Sequence, residues 1–467
     1  MKYLIFAFTF FYLAYSNAQE FKNNELNLAI HKILGKKFKK TGISIRDSLG
    51  NEIYNLNGNE ALTPASIAKT VSTACSLIQL GPQFQFKTMF GYKGIVKQGV
   101  LKGDLVIRGE GDPSFVIEDL KEVIDKIRHL YGIQKVDGEL IFDVSYFGTD
   151  QIKMAEGFDS DQQRSFATQL TPIPMNQNSF SVWVGIDPEK RNNTVAEIFP
   201  FDVLDLKLTN QTKTKNSTAI YLDYDADKNR ISVSGGIDED EESKAIYRAV
   251  PQNYDYYSTL IHRLWQQSGG IWENKNYKID KKKIEAVVLY THQSRPLAKI
   301  LMDINKYSLN LGAELTLLAA AANKKDVPTD YAKAIDFLNE CLVDQGIEKV
   351  GIMLKNASGL SREAKIKPSS LSQFLYQMSQ GIYAPEYLSS LSVLGLDGTT
   401  KKRLIQYPSR GRMKTGGIDG VSSITGYVFA ENKKMYTFVI IMNGVDRLDG
   451  QIKNIQDQII EKILLQK

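Results

Sequence analysis

Apolar and polar residues change their period several times along the chain, and each change marks an element. Residues Glu25 to Leu34 read as a helix. Gly42 to Asp47 and Glu52 to Leu56 alternate as two strands joined by a Ser48-Leu49-Gly50-Asn51 turn, which predicts a hairpin. From Pro64 the pattern turns helical: Ile67, Val71, Ala74, Cys75 and Ile78 fall on one stripe, and Gly81-Pro82 ends it. Pro64 suits a helix start, where the N–H it lacks has no intrahelical partner anyway.

From about Phe84 to Arg248 the pattern shortens into β-rich segments such as Leu105 to Arg108, Gly138 to Phe142 and Phe180 to Gly185, punctuated by Gly, Asp, Asn and Pro. This stretch reads as an inserted β-rich region, with the charged run Asp238 to Lys244 as its last loop or a solvated edge. Helical periodicity returns at Tyr254 to Gln267 and from Pro296 to Ala321. Strands follow at Gly411 to Ile418, Ser422 to Ala430 and Met435 to Met442, the last two joined by a Glu431-Asn432-Lys433-Lys434 turn. A final helix, Gln451 to Leu465, carries Ile452, Ile455, Ile459 and Ile463 on one stripe. Beside antiparallel strands, such a stripe is expected to pack on the sheet rather than on a membrane.

The length of 467 residues exceeds one ordinary domain, and 43% hydrophobic with 24% charged residues is the balance of a folded globular protein. At the start, Lys2 precedes an apolar run from Tyr3 to Tyr15, followed by the small residues Ser16, Asn17 and Ala18. That is the pattern of a cleaved signal peptide, residues 1–18, and the run is shorter than the roughly 20 residues of a spanning helix. Export to the periplasm is the expectation, with no transmembrane anchor after cleavage. Cys75 and Cys341 stand far apart, each in an apolar helical pattern, and read as buried free thiols. A net charge of +5 is spread out, with no basic block beyond Lys36 to Lys40, so nucleic acid is not an expected partner. His31, His129, His262 and His292 show no metal-ligand spacing, which disfavours a zinc hydrolase and gives a Ser-His-Asp triad no local support.

Three short motifs carry chemistry. In Pro64-Ala65-Ser66-Ile67-Ala68-Lys69 a serine and a lysine three apart share one face of a helix start, so the amine can reach the hydroxyl. A partly desolvated lysine can replace histidine as a base. Ser308-Leu309-Asn310 places a serine and an asparagine two apart, which point the same way only in extended or turn backbone. Lys414-Thr415-Gly416 falls in a predicted strand, its glycine removing a side chain where substrate must lie against backbone. Alone, the first arises by chance about once or a few times in such a chain, and the third in roughly one chain in ten. In this order and context they form the penicillin-recognising serine-transferase set.

On these motifs the chain resembles the low-molecular-mass class C penicillin-binding proteins, the D-alanyl-D-alanine carboxypeptidase and endopeptidase family. Gly109-Glu110-Gly111-Asp112-Pro113, Asp143-Val144-Ser145-Tyr146-Phe147, Ser358-Gly359-Leu360-Ser361-Arg362 and Gly395-Leu396-Asp397-Gly398-Thr399 are similar to that family's recurring segments, in the same order. The resemblance implies an α+β fold: a transpeptidase/β-lactamase-like domain, helices on an antiparallel sheet, over residues 19–83 and 249–467, interrupted by the β-rich region 84–248.

It also implies roles. Ser66 would be the nucleophile and Lys69 its base, Ser308 would relay a proton to the leaving D-alanine, and Asn310 would hold the substrate amide and Lys69. Lys414 and Thr415 would bind the terminal carboxylate, with Gly416 beside the substrate. The N–H groups of Ser66 and Gly417 would form the oxyanion hole. Gly417 departs from the family, where threonine is common, and so does Leu309, where an acidic residue is frequent. The expected partners are peptidoglycan stem peptides ending in D-Ala-D-Ala, with β-lactams as covalent inhibitors and no metal or organic cofactor. The alternatives are a β-lactamase or esterase on this scaffold, for which no dedicated glutamate is evident, and a non-catalytic cell-wall binder, which has no use for a nucleophile beside a lysine.

Overall fold

Alternation along Thr41–Arg46 sends Ile43 and Ile45 into an apolar core and Ser44 and Arg46 to the opposite face. This strand pairs antiparallel with Glu52–Leu56 on one side and with Met435–Asn443 on the other, so that Ile43 faces Ile440 and Ile45 faces Phe438. The six-stranded antiparallel sheet continues through Val421–Phe429 and Gly411–Ile418 to the short strand Ser392–Val393. On one face, Leu26, Ile30 and Leu34 of the helix at 25–34 and Ile452, Ile459 and Ile463 of the last helix, Gly450–Leu464, bury against it. On the other lies Pro368–Gln380, whose Ser372 hydroxyl is 2.6 Å from Ser44 Oγ and accepts from Arg46 Nε at 2.9 Å. Helices on both faces explain why Val421–Val428 is buried without alternation.

The computed structural model describes residues 25–35, 40–149, 168–190, 193–200, 206–225, 228–250, 253–446 and 449–467. The expected signal peptide, residues 1–18, lies outside the described residues, as does Lys36 to Lys39. Among the described residues no helix is long and apolar enough to cross a membrane.

The chain forms two compact units: Met1–Gln83 with Leu297–Ala313 and Tyr331–Lys467 make the first, and Phe84–Pro296 with Glu314–Asp330 the second. The second unit carries a mixed seven-stranded sheet and two three-stranded sheets around a core that includes Phe90, Ile107, Phe142, Val182, Val233 and Trp265. Its longer segment begins at Phe84 and ends at Pro296. The helix Asn253–Gln267 packs Tyr257, Leu260, Ile261 and Leu264 into that same core, so the return of helical periodicity did not mark a return to the first unit. Another helix of this unit, Ile117–His129, was not anticipated within the β-rich stretch, although Leu120, Val123, Ile124 and Ile127 recur at helical spacing and are buried. Phe180 packs in this core, whereas Trp183 is exposed and donates from Nε1 to Ser181 Oγ at 3.0 Å.

The two cysteines correct the sequence reading. Both are helical and buried as expected, but Cys75 and Cys341 form a disulfide, 266 residues apart. It ties the helix Lys69–Leu80 to the helix Tyr331–Asp344. The apolar stripes that suggested buried thiols face each other, a relation that spacing along the chain does not contain.

Candidate active site

The chain enters the serine turn under constraint. Asn443 clasps Thr63, accepting from its N–H at 2.9 Å and donating to its carbonyl at 3.0 Å, and Ser423 Oγ donates to Pro64 O at 2.6 Å. Ala65 then takes a left-handed φ of +52° with its side chain fully buried, a conformation costing a non-glycine residue about 1–2 kcal/mol. A short 3-10 turn, Ala65–Ala68, leads into the helix Lys69–Leu80. That helix is buried all round as far as Leu77, beyond the single stripe read from sequence, and Ile78 on that stripe is exposed where the last turn emerges. Its buried hydroxyls are satisfied by backbone carbonyls: Thr70 on Ile67, Ser72 on Ala357, Thr73 on Lys69 and Ser76 on Ser72.

Ser66 is half-buried and Lys69 fully buried. Lys69 Nζ lies 3.0 Å from Ser66 Oγ, 2.7 Å from Asn310 Oδ1 and 2.8 Å from the carbonyl oxygen of Ser358. The spacing of three thus gives the predicted contact, and two acceptors from remote segments join it.

Ser308 and Asn310 sit where the expected single helix Pro296 to Ala321 breaks into Leu297–Tyr307 and Asn310–Lys325. Ser308 has φ +62°, the turn backbone that lets residues two apart serve one site. The preceding helix is pinned by Asn305, fully buried, which donates to Thr73 Oγ1 at 3.2 Å and Ser390 Oγ at 2.9 Å. Leu309 is half-buried and donates its N–H to Ile304 O.

Lys414 and Ser308 meet across 106 positions, Nζ donating to Ser308 Oγ at 2.9 Å and to Thr415 O at 2.7 Å. Burial pushes the Lys414 amine well below the usual lysine range, and its electrostatic interaction with the nearby Lys69 amine adds to the shift. Gly416 packs against the serine turn: a Cβ there would stand 2.9 Å from Ser66 N, 2.9 Å from Pro64 O and 2.4 Å from Ser423 Oγ. Gly417 lies opposite Ser422. The neighbouring strand Ser392–Val393 pairs only with Met413 and Arg412, so from Lys414 onward one edge of this strand has no strand partner among the described residues.

Two further residues beside these were not among those expected from the sequence. Ser358 supplies its carbonyl to Lys69, and Gly359, at φ +76°, lies so close that a Cβ would meet Ala65 O at 2.1 Å. Thr399 accepts from Thr415 Oγ1 at 2.7 Å. Both belong to segments singled out by resemblance, but a backbone carbonyl has no residue-type signature and a lone threonine is too common to stand out. Among the described residues, no three His, Cys, Asp or Glu side chains gather as a metal site requires.

The geometry can be set beside known proteins. The family described as D-Ala-D-Ala carboxypeptidase 3 (S13) matches residues 23–463. The chain is 25% identical over 409 residues to the D-alanyl-D-alanine carboxypeptidase DacB of Haemophilus influenzae, covering 86% of this chain and 84% of the relative. The crystal structure of penicillin binding protein 4 (dacB) from the same organism superposes with a TM-score of 0.76 at 22% identity, covering 94% of this chain and 99% of that one. A second crystal structure of that protein, complexed with a β-lactam, superposes at 0.72 with 21% identity over the same shares. The α+β fold is shared across nearly the whole length, and with a family match over all but the ends of the sequence, the chain belongs to the D-Ala-D-Ala carboxypeptidase 3 (S13) family of peptidases.

Proposed function

We propose that this protein is a serine-type D-alanyl-D-alanine carboxypeptidase that works through an acyl-enzyme on Ser66 and also opens peptidoglycan cross-links. The observation that carries the reading is the placing of Lys69 Nζ, 3.0 Å from Ser66 Oγ with acceptors at 2.7 and 2.8 Å. A neutral amine has two N–H bonds and one lone pair. As a base, Lys69 would turn N–H groups to Asn310 Oδ1 and Ser358 O and its lone pair to the Ser66 hydroxyl proton.

Ser66 Oγ attacks the carbonyl carbon of the penultimate D-alanine as Lys69 takes its proton. The N–H groups of Ser66 and Gly417 hold the oxyanion, a contact worth about 2.7–4 kcal/mol per donor. Ser308, hydrogen-bonded to Lys414, passes its hydroxyl proton to the departing amine as the C–N bond breaks, and the proton that Lys69 took replaces it, leaving Ser308 a hydroxyl and Lys69 neutral again. Water then attacks the ester with Lys69 again as base, releasing the shortened peptide and restoring Ser66. Gly416 keeps the strand edge clear of side chain beside Ser66, and Asn310 also holds the substrate amide. Lys414 and Thr415 bind the terminal carboxylate.

β-Lactams acylate Ser66 by the same route and leave slowly. The protein is exported to the periplasm after cleavage of residues 1–18, a compartment in which the Cys75–Cys341 disulfide persists. Its substrates there are stem peptides ending in D-Ala-D-Ala.

Intact-mass measurement with benzylpenicillin tests the reading. A single stable adduct on the wild type that is absent from Ser66→Ala, together with D-alanine release from a D-Ala-D-Ala peptide, is the expected result. Rapid antibiotic hydrolysis without an adduct would replace it with a β-lactamase, and no reaction at all would leave a cell-wall binder.

A further inference from the structure

The Lys414 strand ends in two hydroxyls in contact. Thr415 Oγ1 donates to Thr399 Oγ1 at 2.7 Å; Thr399 is exposed and Thr415 half-buried. Before substrate binds, the proton of Thr415 is engaged by Thr399 and the one presented outward is that of Thr399, so Thr415 reaches the carboxylate through Thr399. Position 417, two residues beyond Thr415, is glycine and offers no side-chain donor.

Thr399 is held in place. It sits in the 3-10 turn Gly398–Thr400, which follows Asp397. The Asp397 carboxylate accepts from Val393 N at 2.6 Å and from Lys306 Nζ, on the helix that ends just before Ser308. Gly398 has φ +55°, and a Cβ there would stand 2.4 Å from Ser392 Oγ and 2.6 Å from Lys306 O. Only a glycine lets the turn approach so closely. A surface threonine fixed by an ion pair, a backbone hydrogen bond and a close glycine contact is a pre-aimed donor, unlike a freely rotating one.

Resting on the proposed carboxypeptidase function, we propose that Thr399 is a specificity-determining residue whose hydroxyl donates to the terminal carboxylate of the peptide, in series with Thr415. A carboxylate accepts at several lone pairs and draws the most from charge-assisted donors. A chain from Thr415 through Thr399 to the anion polarises each hydroxyl in turn. Lys306 and Asp397 act through Thr399 as positioning residues.

The test compares kcat/KM for two peptides that differ only at the C-terminus, D-Ala-D-Ala acid and its carboxamide. The wild type is expected to favour the acid. Thr399→Val keeps the shape, removes the hydroxyl and should lower that preference about ten-fold, the scale of one hydrogen bond to a charged group. Thr399→Ser should restore most of it. Lys306→Met, which releases the Asp397 turn, should lower the same ratio while thermal unfolding shows both variants folded. If Thr399→Val and Lys306→Met both keep the wild-type preference while D-alanine is still released, the inference is wrong and the carboxypeptidase reading stands. If the wild type releases no D-alanine from either peptide, the reading fails and takes this inference with it.

Discussion

Lys69 and Asn310 are joined by a 2.7 Å hydrogen bond although 241 residues separate them in the chain. The bond places an amide oxygen where one N–H of the Lys69 amine must point, which orients what remains toward Ser66. Asn310→Ala removes that acceptor and loosens the orientation of the amine. The rate of acylation by benzylpenicillin should fall about 10²-fold, the lower end of what a positioned base contributes. A variant acylated at the wild-type rate would show that Asn310 does not orient the amine.

Gly416→Ala tests how closely the Lys414 strand presses on the serine turn. Ser423 Oγ can swing away from the new methyl, but Pro64 O and Ser66 N are backbone and cannot. The expected outcome is acylation slowed about 10²-fold or more, not rescued by adding Ser423→Ala. Rescue by that second change would mean the hydroxyl was the sole obstacle.

Lys414 makes the fold's stability depend on pH in a direction opposite to that of an ordinary salt-bridged lysine. Its folded pKa is depressed, first by burial and then by Lys69, whereas unfolding returns it to the usual lysine range. Between those two values the unfolded chain binds more protons, so stability rises with pH. The wild type should therefore gain on Lys414→Met as pH climbs through that window, and the difference should level off on either side. Urea unfolding of both proteins across the pH range measures it, and a difference that stays constant would contradict the shift.

The Cys75–Cys341 cross-link closes a long loop onto the helix that carries Lys69. Changing both cysteines to alanine should cost about 2–4 kcal/mol in denaturant unfolding. Because the helix also loses its tether to Tyr331–Asp344, acylation of the folded variant should slow as well. A stability loss with unaltered acylation would assign the disulfide to stability alone.

Much of the architecture could be read from residue order. The hairpin at residues 41–56, the helix after the serine, the last three strands and the closing helix all follow from local period and turn residues. The hydroxyl–amine contact of Ser66 with Lys69 follows from a spacing of three. The break at Ser308 was only half legible: the tripeptide required a turn to work, yet the surrounding apolar period predicted one continuous helix. A single residue at φ +62° leaves almost no trace in a hydrophobic pattern.

By itself the sequence determined most of the elements, the family and the residue types available for chemistry, because propensity, period and capping act over a few neighbouring residues. Only the tertiary structure decided which of them meet. Lys69 finds Ser358 O across 289 positions, Lys414 finds Ser308 across 106, and Cys75 finds Cys341 across 266. It also decided that the helix Asn253–Gln267 packs in the second unit and that Thr399 stands against Thr415. Such pairings arise from packing whole sheets and helices, a sum of many weak contacts that no local spacing encodes.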